Sequence, residues 1–365
     1  MAELADQSTV LKNSFLPVFF NLNFPDDKLA FDRLLEEKKP SLVDEIHHQL
    51  NELIALRFPH KMGRISSEEL EEGIKKELNG SELYEYGVWV YYPWRNTAIH
   101  LLGEEAFIEV RTNRNMLKIT SDEQKLLRSK IVGIIGMSVG SGAALAIAME
   151  RGAGEIRIAD MDTLDLSNLN RIRSSVLNLG LPKTTIVARE IAELDPYLNV
   201  SVFDCGINEE NIDDFFDDEG RIDVLVELCD SLKIKLLARK EAKKRCIPVV
   251  METSDRGTLD VERFDLDFNA GLLHGRFTDV EVENLLVCDN WSSEISAKFM
   301  APNELSKEML LSLREMGKSI SRWPQTGSEV TMGAGVVAAV VRKILLGDSK
   351  IHGRKFIDID ELYMD

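Results

Sequence analysis

The stretch Lys130-Ile-Val-Gly-Ile-Ile-Gly136-Met-Ser138-Val-Gly140-Ser-Gly142 decides how the chain is read. A short apolar run, Ile131 to Ile135, passes straight into a glycine-rich turn and then into residues of helical character. Glycines let backbone approach a phosphate closely, and a helix N-terminus offers free N–H groups at the positive end of its dipole. Gly136, Ser138, Gly140 and Gly142 are therefore candidate nucleotide-contacting positions. The spacing departs from the strict dinucleotide fingerprint, because Ser138 stands where the second glycine belongs, and the lysine of the Walker loop is missing. By itself the turn is equally a tight strand-to-helix connection.

Outward from this segment the chain alternates between short apolar runs and amphipathic stretches. The runs are Ile131 to Ile135, Ile156 to Ala159, Val200 to Phe203, Val224 to Leu228 and Ile247 to Met251. Helices are expected near Ser141 to Arg151, Lys183 to Leu194, Asn208 to Phe216 and Ser231 to Arg245. Runs that are apolar throughout suit strands buried on both faces, the signature of a parallel sheet wound with helices. The expected fold is α/β, doubly wound and Rossmann-like, with a mainly parallel sheet and an N-terminal α+β appendage. The appendage, residues 1–109, is expected to hold a polar lead-in, helices near Leu42 to Phe58 and Ser66 to Leu78, and strands Val88 to Trp94 and Thr97 to Leu102 about a turn at Pro93-Trp94-Arg95-Asn96. Residues 110–267 form the expected nucleotide-binding core. Residues 268–365 should carry a crossover segment near Asn269 to Lys298, helices near Pro302 to Met316 and Gly327 to Leu346, and a last strand at Lys355 to Ile359.

The 365 residues are 44% hydrophobic and 29% charged, an ordinary balance for a globular protein. A net charge of −18 argues against nucleic acid and anionic membranes as partners, so a nucleotide site has to be a local basic pocket. Cys205, Cys229, Cys246 and Cys288 form no C-x-x-C pair, so no zinc site and no disulfide framework is expected, and a reducing cytoplasm is the natural compartment. Glu3 and Asp6 precede any apolar stretch, so neither signal peptide nor membrane helix is expected. His47, His48, His60, His100, His274 and His352 show no ligand spacing, and Tyr91, Tyr92 and Trp94 are expected in the appendage core.

Asp160 ends the second apolar run, 24 residues after Gly136, where a carboxylate can accept hydrogen bonds from ribose hydroxyls. That feature also fits a nicotinamide-dependent oxidoreductase. Three further elements follow in order. They are Asp160-Met-Asp162-Thr-Leu-Asp-Leu-Ser-Asn168-Leu-Asn-Arg171, then Gly180-Leu-Pro182-Lys183, then Glu227-Leu-Cys-Asp230-Ser231, and Arg111-Thr-Asn-Arg114 lies upstream. This ordered set resembles the ThiF/MoeB adenylyltransferases of the ubiquitin-activating-enzyme superfamily over about Arg111 to Asp260.

The resemblance implies that ATP activates a carboxylate, that of a ubiquitin-like carrier or of a peptide, as its acyl-adenylate with release of pyrophosphate. It implies that Asn168 and Arg171 hold the phosphates, that Lys183 sits at the α-phosphate, that Asp230 ligates Mg²⁺ and that Asp160 holds the ribose. Arg114 is implied to reach into the site of the other protomer of a homodimer. Serines at 138 and 141, Val139 and Glu227 depart from the family pattern, and its paired C-x-x-C elements are missing. Taken alone, Arg171 and Lys183 are ordinary surface cations and Asp230 a helix cap. Asp162 and Glu227 are open between supporting the site and serving the fold. Cys288 lies where some relatives carry a catalytic cysteine, but a packed thiol is the commoner fate, and Cys229 is expected to pack near the nucleotide. Arg256, beyond the fifth strand, is a candidate for facing the substrate carboxylate. An oxidoreductase has no need of Asn168, Arg171, Lys183 and Asp230, and a non-catalytic scaffold would have no reason to keep them.

Overall fold

A computed structural model describes residues 14–61, 63–288 and 291–359. Glu3 and Asp6, which bear on the signal-peptide expectation, lie outside the described residues. The chain forms two compact units, Met1–Ser121 with Asp195–Tyr197, and Asp122–Leu194 with Leu198–Asp365.

The first unit carries a four-stranded sheet in the order β1-β3-β4-β2, with β1 Val18–Phe20, β2 Ser41–Asp44, β3 Val88–Tyr92 and β4 Thr97–Leu101. The turn at 93–96 is as expected. The helix expected from Leu42 is replaced at its start by β2, which runs parallel to β4 with Asp44 opposite His100. The Asp44 carboxylate accepts from Ile46 N and also meets the buried His100 ring at 2.9 Å, so the helix Ile46–Leu56 begins only after it. The supposed polar lead-in holds a further helix, Pro25–Lys38, which sequence reading missed because Phe31 is its one buried residue. Tyr91 and Tyr92 are buried and Trp94 is partly so.

The boundary expected at 109 moves to Ser121 for a packing reason. Ala106, Phe107 and Val110 of the helix Glu104–Thr112 lie against the core of Ile46, Leu50, Leu53 and Ile54, so this helix belongs to the first unit.

The second unit holds a seven-stranded sheet in the order β11-β10-β9-β8-β5-β6-β7. Its strands are β5 Ile131–Ile135, β6 Glu155–Ala159, β7 Asn199–Phe203, β8 Val224–Glu227, β9 Val249–Thr253, β10 Thr258–Glu262 and β11 Gly353–Phe356. β5 to β9 pair in parallel, while β10 and β11 join antiparallel at one edge. The doubly wound fold is as expected, and the chain reverses its direction of travel across the sheet between β5 and β8.

The separate C-terminal region expected after residue 267 does not exist as such. β11 completes the sheet by pairing with β10, and the long helix Gly327–Leu345 packs on the helix Gly140–Glu150 and on β9. β10 escaped the reading because Asp260 and Glu262 interrupt its apolar pattern, yet both are buried and ion-paired, Asp260 with His274 and Arg354 and Glu262 with Arg239. The helix expected over Pro302 to Met316 begins at Lys307, where the Ser306 hydroxyl caps it by accepting from Met309 N.

Candidate adenylate site

Doubly wound sheets bind ligands outside the carboxyl ends of their strands, at the point where the strand order reverses. Here that point lies between β5 and β8, and the chain is tightest there. Gly136 leaves β5 at φ 93°, and a Cβ on it would fall 2.7 Å from the carbonyl of Leu228 just beyond β8. Only glycine satisfies both the left-handed backbone and this approach. Its N–H donates to the Ala159 carbonyl at 2.8 Å, joining the turn to the end of β6 as well.

Asp160 stiffens the same turn. One carboxylate oxygen accepts from Met137 N at 2.6 Å and the other from Asp162 N at 2.8 Å. The carboxylate expected to hold a ribose thus holds the glycine turn and the following loop first. Ser138 is partly buried, and its hydroxyl oxygen has no hydrogen-bond partner among the described residues.

Gly140 and Gly142 are glycines for a different reason than the sequence suggested. Neither has a positive φ. A Cβ at Gly140 would press on Ile134 and Met137 at 3.2 and 3.3 Å, and one at Gly142 would lie 2.9 Å from the Ala334 Cβ of the long C-terminal helix. Strand–helix and helix–helix packing require these two, which leaves Gly136 to Ser138 as the part of the turn that closes on the crevice.

The loop after β6 carries the cations. Asn168 is buried and its side-chain oxygen accepts from Asp165 N at 3.0 Å, closing the 3-10 turn Leu166–Asn170 on itself. Arg171 follows, half-buried, with Nη1 donating to Asn170 Oδ1 at 3.0 Å and Nε buried without a partner. Burial depresses the Arg171 guanidinium below its ordinary range, the Asp230 carboxylate pulls it back up, and the Arg322 charge lowers it again. Arg171 and Asp230, from two distant loops, therefore share one electrostatic neighbourhood. Lys183 is buried at the start of the helix Lys183–Leu194 and donates to Asp162 Oδ2 at 2.8 Å. Asp162 is thus the resting partner of Lys183, which resolves one of the two open roles.

Asp230 is exposed. The capping role it was weighed against belongs to its neighbour, since the Ser231 hydroxyl accepts from Ile234 N at the start of the helix Leu232–Lys244. Glu227 serves the fold. It is wholly buried, takes two hydrogen bonds from Lys235 Nζ at 3.0 and 3.1 Å and pairs with Arg239. Burial pushes its carboxyl up, and those two cations more than offset it, leaving it below its ordinary value.

Burial and the neighbouring Glu227 push the Cys229 thiol well up, which suits packing and not nucleophilic attack. Cys288 is exposed at the end of the helix Asp279–Val287. Arg256 does not wait for a substrate. Its guanidinium pairs with Asp358 at 2.9 Å, donates to the Glu304 carbonyl and lies 4.5 Å from the centre of the Phe356 ring, so it fastens the last strand. Arg114 is exposed in the 3-10 turn Asn113–Asn115 of the first unit, whereas the other site residues belong to the second.

Sequence reading missed the C-terminal contribution to this region. Asn170 Nδ2 donates to the Gln325 carbonyl at 2.7 Å, and Gly327 at the start of the long helix sits where a Cβ would be 2.9 Å from the Asn170 carbonyl. The signal available was the capping pair Thr326 and Glu329, which marks where that helix begins.

Comparison with known proteins agrees with this geometry. The model of the ThiF family matches residues 112–362, more than half of the chain, and the chain belongs to that family. An uncharacterized protein of Mycobacterium tuberculosis (strain CDC 1551 / Oshkosh), MT1398, is 36% identical over 92% of this chain and 44% of its own length. A tRNA threonylcarbamoyladenosine dehydratase of Bacillus subtilis (strain 168) is 31% identical over 42% of this chain and 60% of its own length. A molybdopterin-synthase adenylyltransferase of Haemophilus influenzae (strain ATCC 51907 / DSM 11121 / KW20 / Rd) is 25% identical over 47% of this chain and 69% of its own length. The chain thus spans less than half of the first relative and about three fifths of the second. The family and these relatives support ATP-dependent adenylation of a substrate. No helix among the described residues is long and apolar enough to cross a membrane.

Proposed function

We propose that this ThiF-family chain uses ATP to convert a carboxylate, at the C-terminus of a ubiquitin-like carrier protein or of a peptide, into an acyl-adenylate. The observation that carries the reading is the meeting at the β5/β8 switch point of the Gly136–Ser138 turn, the half-buried and partly unpaired Arg171, and an exposed Asp230 that no cap requires. A carboxylate oxygen attacks the α-phosphorus, the bond from that phosphorus to the bridging oxygen breaks, and pyrophosphate leaves with the electron pair. Anions must approach one another while charge builds on the phosphorus, so preorganised cations supply most of the help.

Arg171 and Asn168 are assigned to the phosphates. Lys183 is assigned to the α-phosphate, exchanging Asp162 for a phosphate oxygen; as a lysine already buried and oriented, it gives up little freedom to do so. Asp160 has a lone pair left on each oxygen for ribose hydroxyls. Asp230 fits Mg²⁺, a hard ion that takes one or two carboxylates together with phosphate and water, and its exposed oxygens beside Arg171 suit that. Bound there, the ion would neutralise phosphate charge. Arg114 is assigned to the partner's site in a twofold homodimer, and the cytoplasm is the proposed compartment.

ATP–pyrophosphate exchange against a panel of carrier and peptide carboxylates tests the reading, supported by thermal shift with ATP and Mg²⁺ against NAD(P). Exchange that depends on one carboxylate class is expected. Stabilisation by NAD(P) and not by ATP would transfer the site to hydride chemistry, and stabilisation by neither would leave a scaffold.

A further inference from the structure

The chain Ser321 to Thr326, which leads into the long C-terminal helix, runs alongside the loop that carries Asn168 and Arg171. Arg322 Nη2 lies 3.7 Å from Asp165 Oδ2, the Gln325 carbonyl accepts from Asn170 Nδ2, and Gly327 abuts Asn170 and the Cα of Arg171. Two guanidiniums are thereby brought to one rim. Arg171 is half-buried with its Nε unpaired, and Arg322 is 71% exposed in its side chain and held only by a long ion pair. Like charges gathered around an unpaired, partly desolvated donor are unfavourable in the empty site and become favourable when a polyanion lies between them. The Arg322 charge depresses the Arg171 guanidinium, as such crowding requires. The first turn of a 19-residue helix opens beside Asn170, adding N–H groups and a positive dipole end to the same rim.

We propose that Arg322 is a further substrate-binding residue of the adenylation site, and that with Arg171 it clasps the β- and γ-phosphates of ATP and the departing pyrophosphate. This rests on the adenylation reading above. The cations are graded in depth: Lys183 is 8% exposed in its side chain, beside the crevice floor, and Arg322 stands at the mouth. The deep lysine suits the reacting phosphate and the outer arginine suits the phosphates that leave. A guanidinium can take two phosphate oxygens at once from its planar fork. The competing demand on Arg322, Asp165, is exposed and easily given up.

The test measures binding of ATP, inorganic tripolyphosphate and AMP by calorimetry for the wild type, Arg322→Ala, Arg322→Lys and Asp165→Asn. Arg322→Ala should weaken ATP and tripolyphosphate at least tenfold and leave AMP within twofold, with Arg322→Lys recovering part of the loss. Asp165→Asn, which breaks the ion pair but keeps the arginine, should hold or raise the affinity. Equal losses in Arg322→Ala and Asp165→Asn would show that the pair merely docks the segment and would overturn the proposal. An equal loss of AMP, or no loss of ATP, would overturn it too. A wild type that binds tripolyphosphate through Arg322 but not ATP would reject the adenylation reading and keep the anion clasp. One that binds neither would reject both.

Discussion

Glu252 sits near the end of β9 with 4% of its surface exposed, and neither carboxylate oxygen has a hydrogen-bond partner. It faces the long C-terminal helix at Gly333, where a Cβ would overlap its carboxyl group. Burial, assisted by the negative charge of Glu329, pushes its carboxyl from the ordinary 4.5 to about 8. The sign follows from proton counting. Between about pH 4.5 and 8 the folded chain keeps this proton and the unfolded chain does not, so stability falls as pH rises through that window. Below it the contribution is fully present, and above it the protein bears an ionised carboxylate in an apolar seam. A shift from 4.5 to about 8 corresponds to roughly 5 kcal/mol at about 1.4 kcal/mol per pH unit, an order-of-magnitude figure. Glu252→Gln has the shape of the protonated acid and cannot ionise. Urea unfolding at intervals from pH 5 to pH 9 should show the variant close to wild type at the acid end and several kcal/mol more stable at the alkaline end, on the order of the figure above. The difference between the two proteins isolates this group from everything else that titrates. Parallel stability curves for wild type and variant would refute the argument, because they would mean that Glu252 is ionised and solvated across the range.

Four further outcomes are expected. Gly136→Ala should lose more than about 2 kcal/mol of stability, since it forces a left-handed φ on a residue whose Cβ meets backbone at 2.7 Å; an unfolding midpoint equal to wild type would contradict that contact. Asp230→Asn should keep the fold, as judged by circular dichroism, and nearly abolish pyrophosphate exchange, so near-normal exchange would remove the metal assignment. Arg171→Ala and Lys183→Ala should each cost roughly two to three orders of magnitude in turnover, and a change confined to the Michaelis constant for ATP would show uniform binding instead. Arg114→Ala and Asp230→Asn chains, each inactive alone, should recover about a quarter of wild-type exchange after random re-mixing at equal amounts, because half the dimers are then mixed and half of their sites whole; no recovery, with subunit exchange confirmed by native mass spectrometry, would reject the trans arginine.

Periodicity along the chain determined the doubly wound sheet, because strands buried on both faces, such as Val224–Glu227, are apolar in nearly every residue and announce themselves locally. The order of Asn168, Arg171, Lys183 and Asp230 likewise pointed to the family from spacing alone. Local pattern could not show that Gly140 and Gly142 answer to packing, since the atoms that crowd Gly142 belong to Ala334, nearly two hundred residues away. Nor could it show that Asp162 holds Lys183, that Ser231 relieves Asp230 of capping, or that Arg256 is occupied by Asp358. β10 was invisible for the same reason, because Asp260 and Glu262 are tolerable inside only when cations from other elements reach them. A side chain's type and spacing are written in the chain, whereas its partner, and so whether its charge is spent or free, is decided by which distant segments the fold brings within hydrogen-bonding reach.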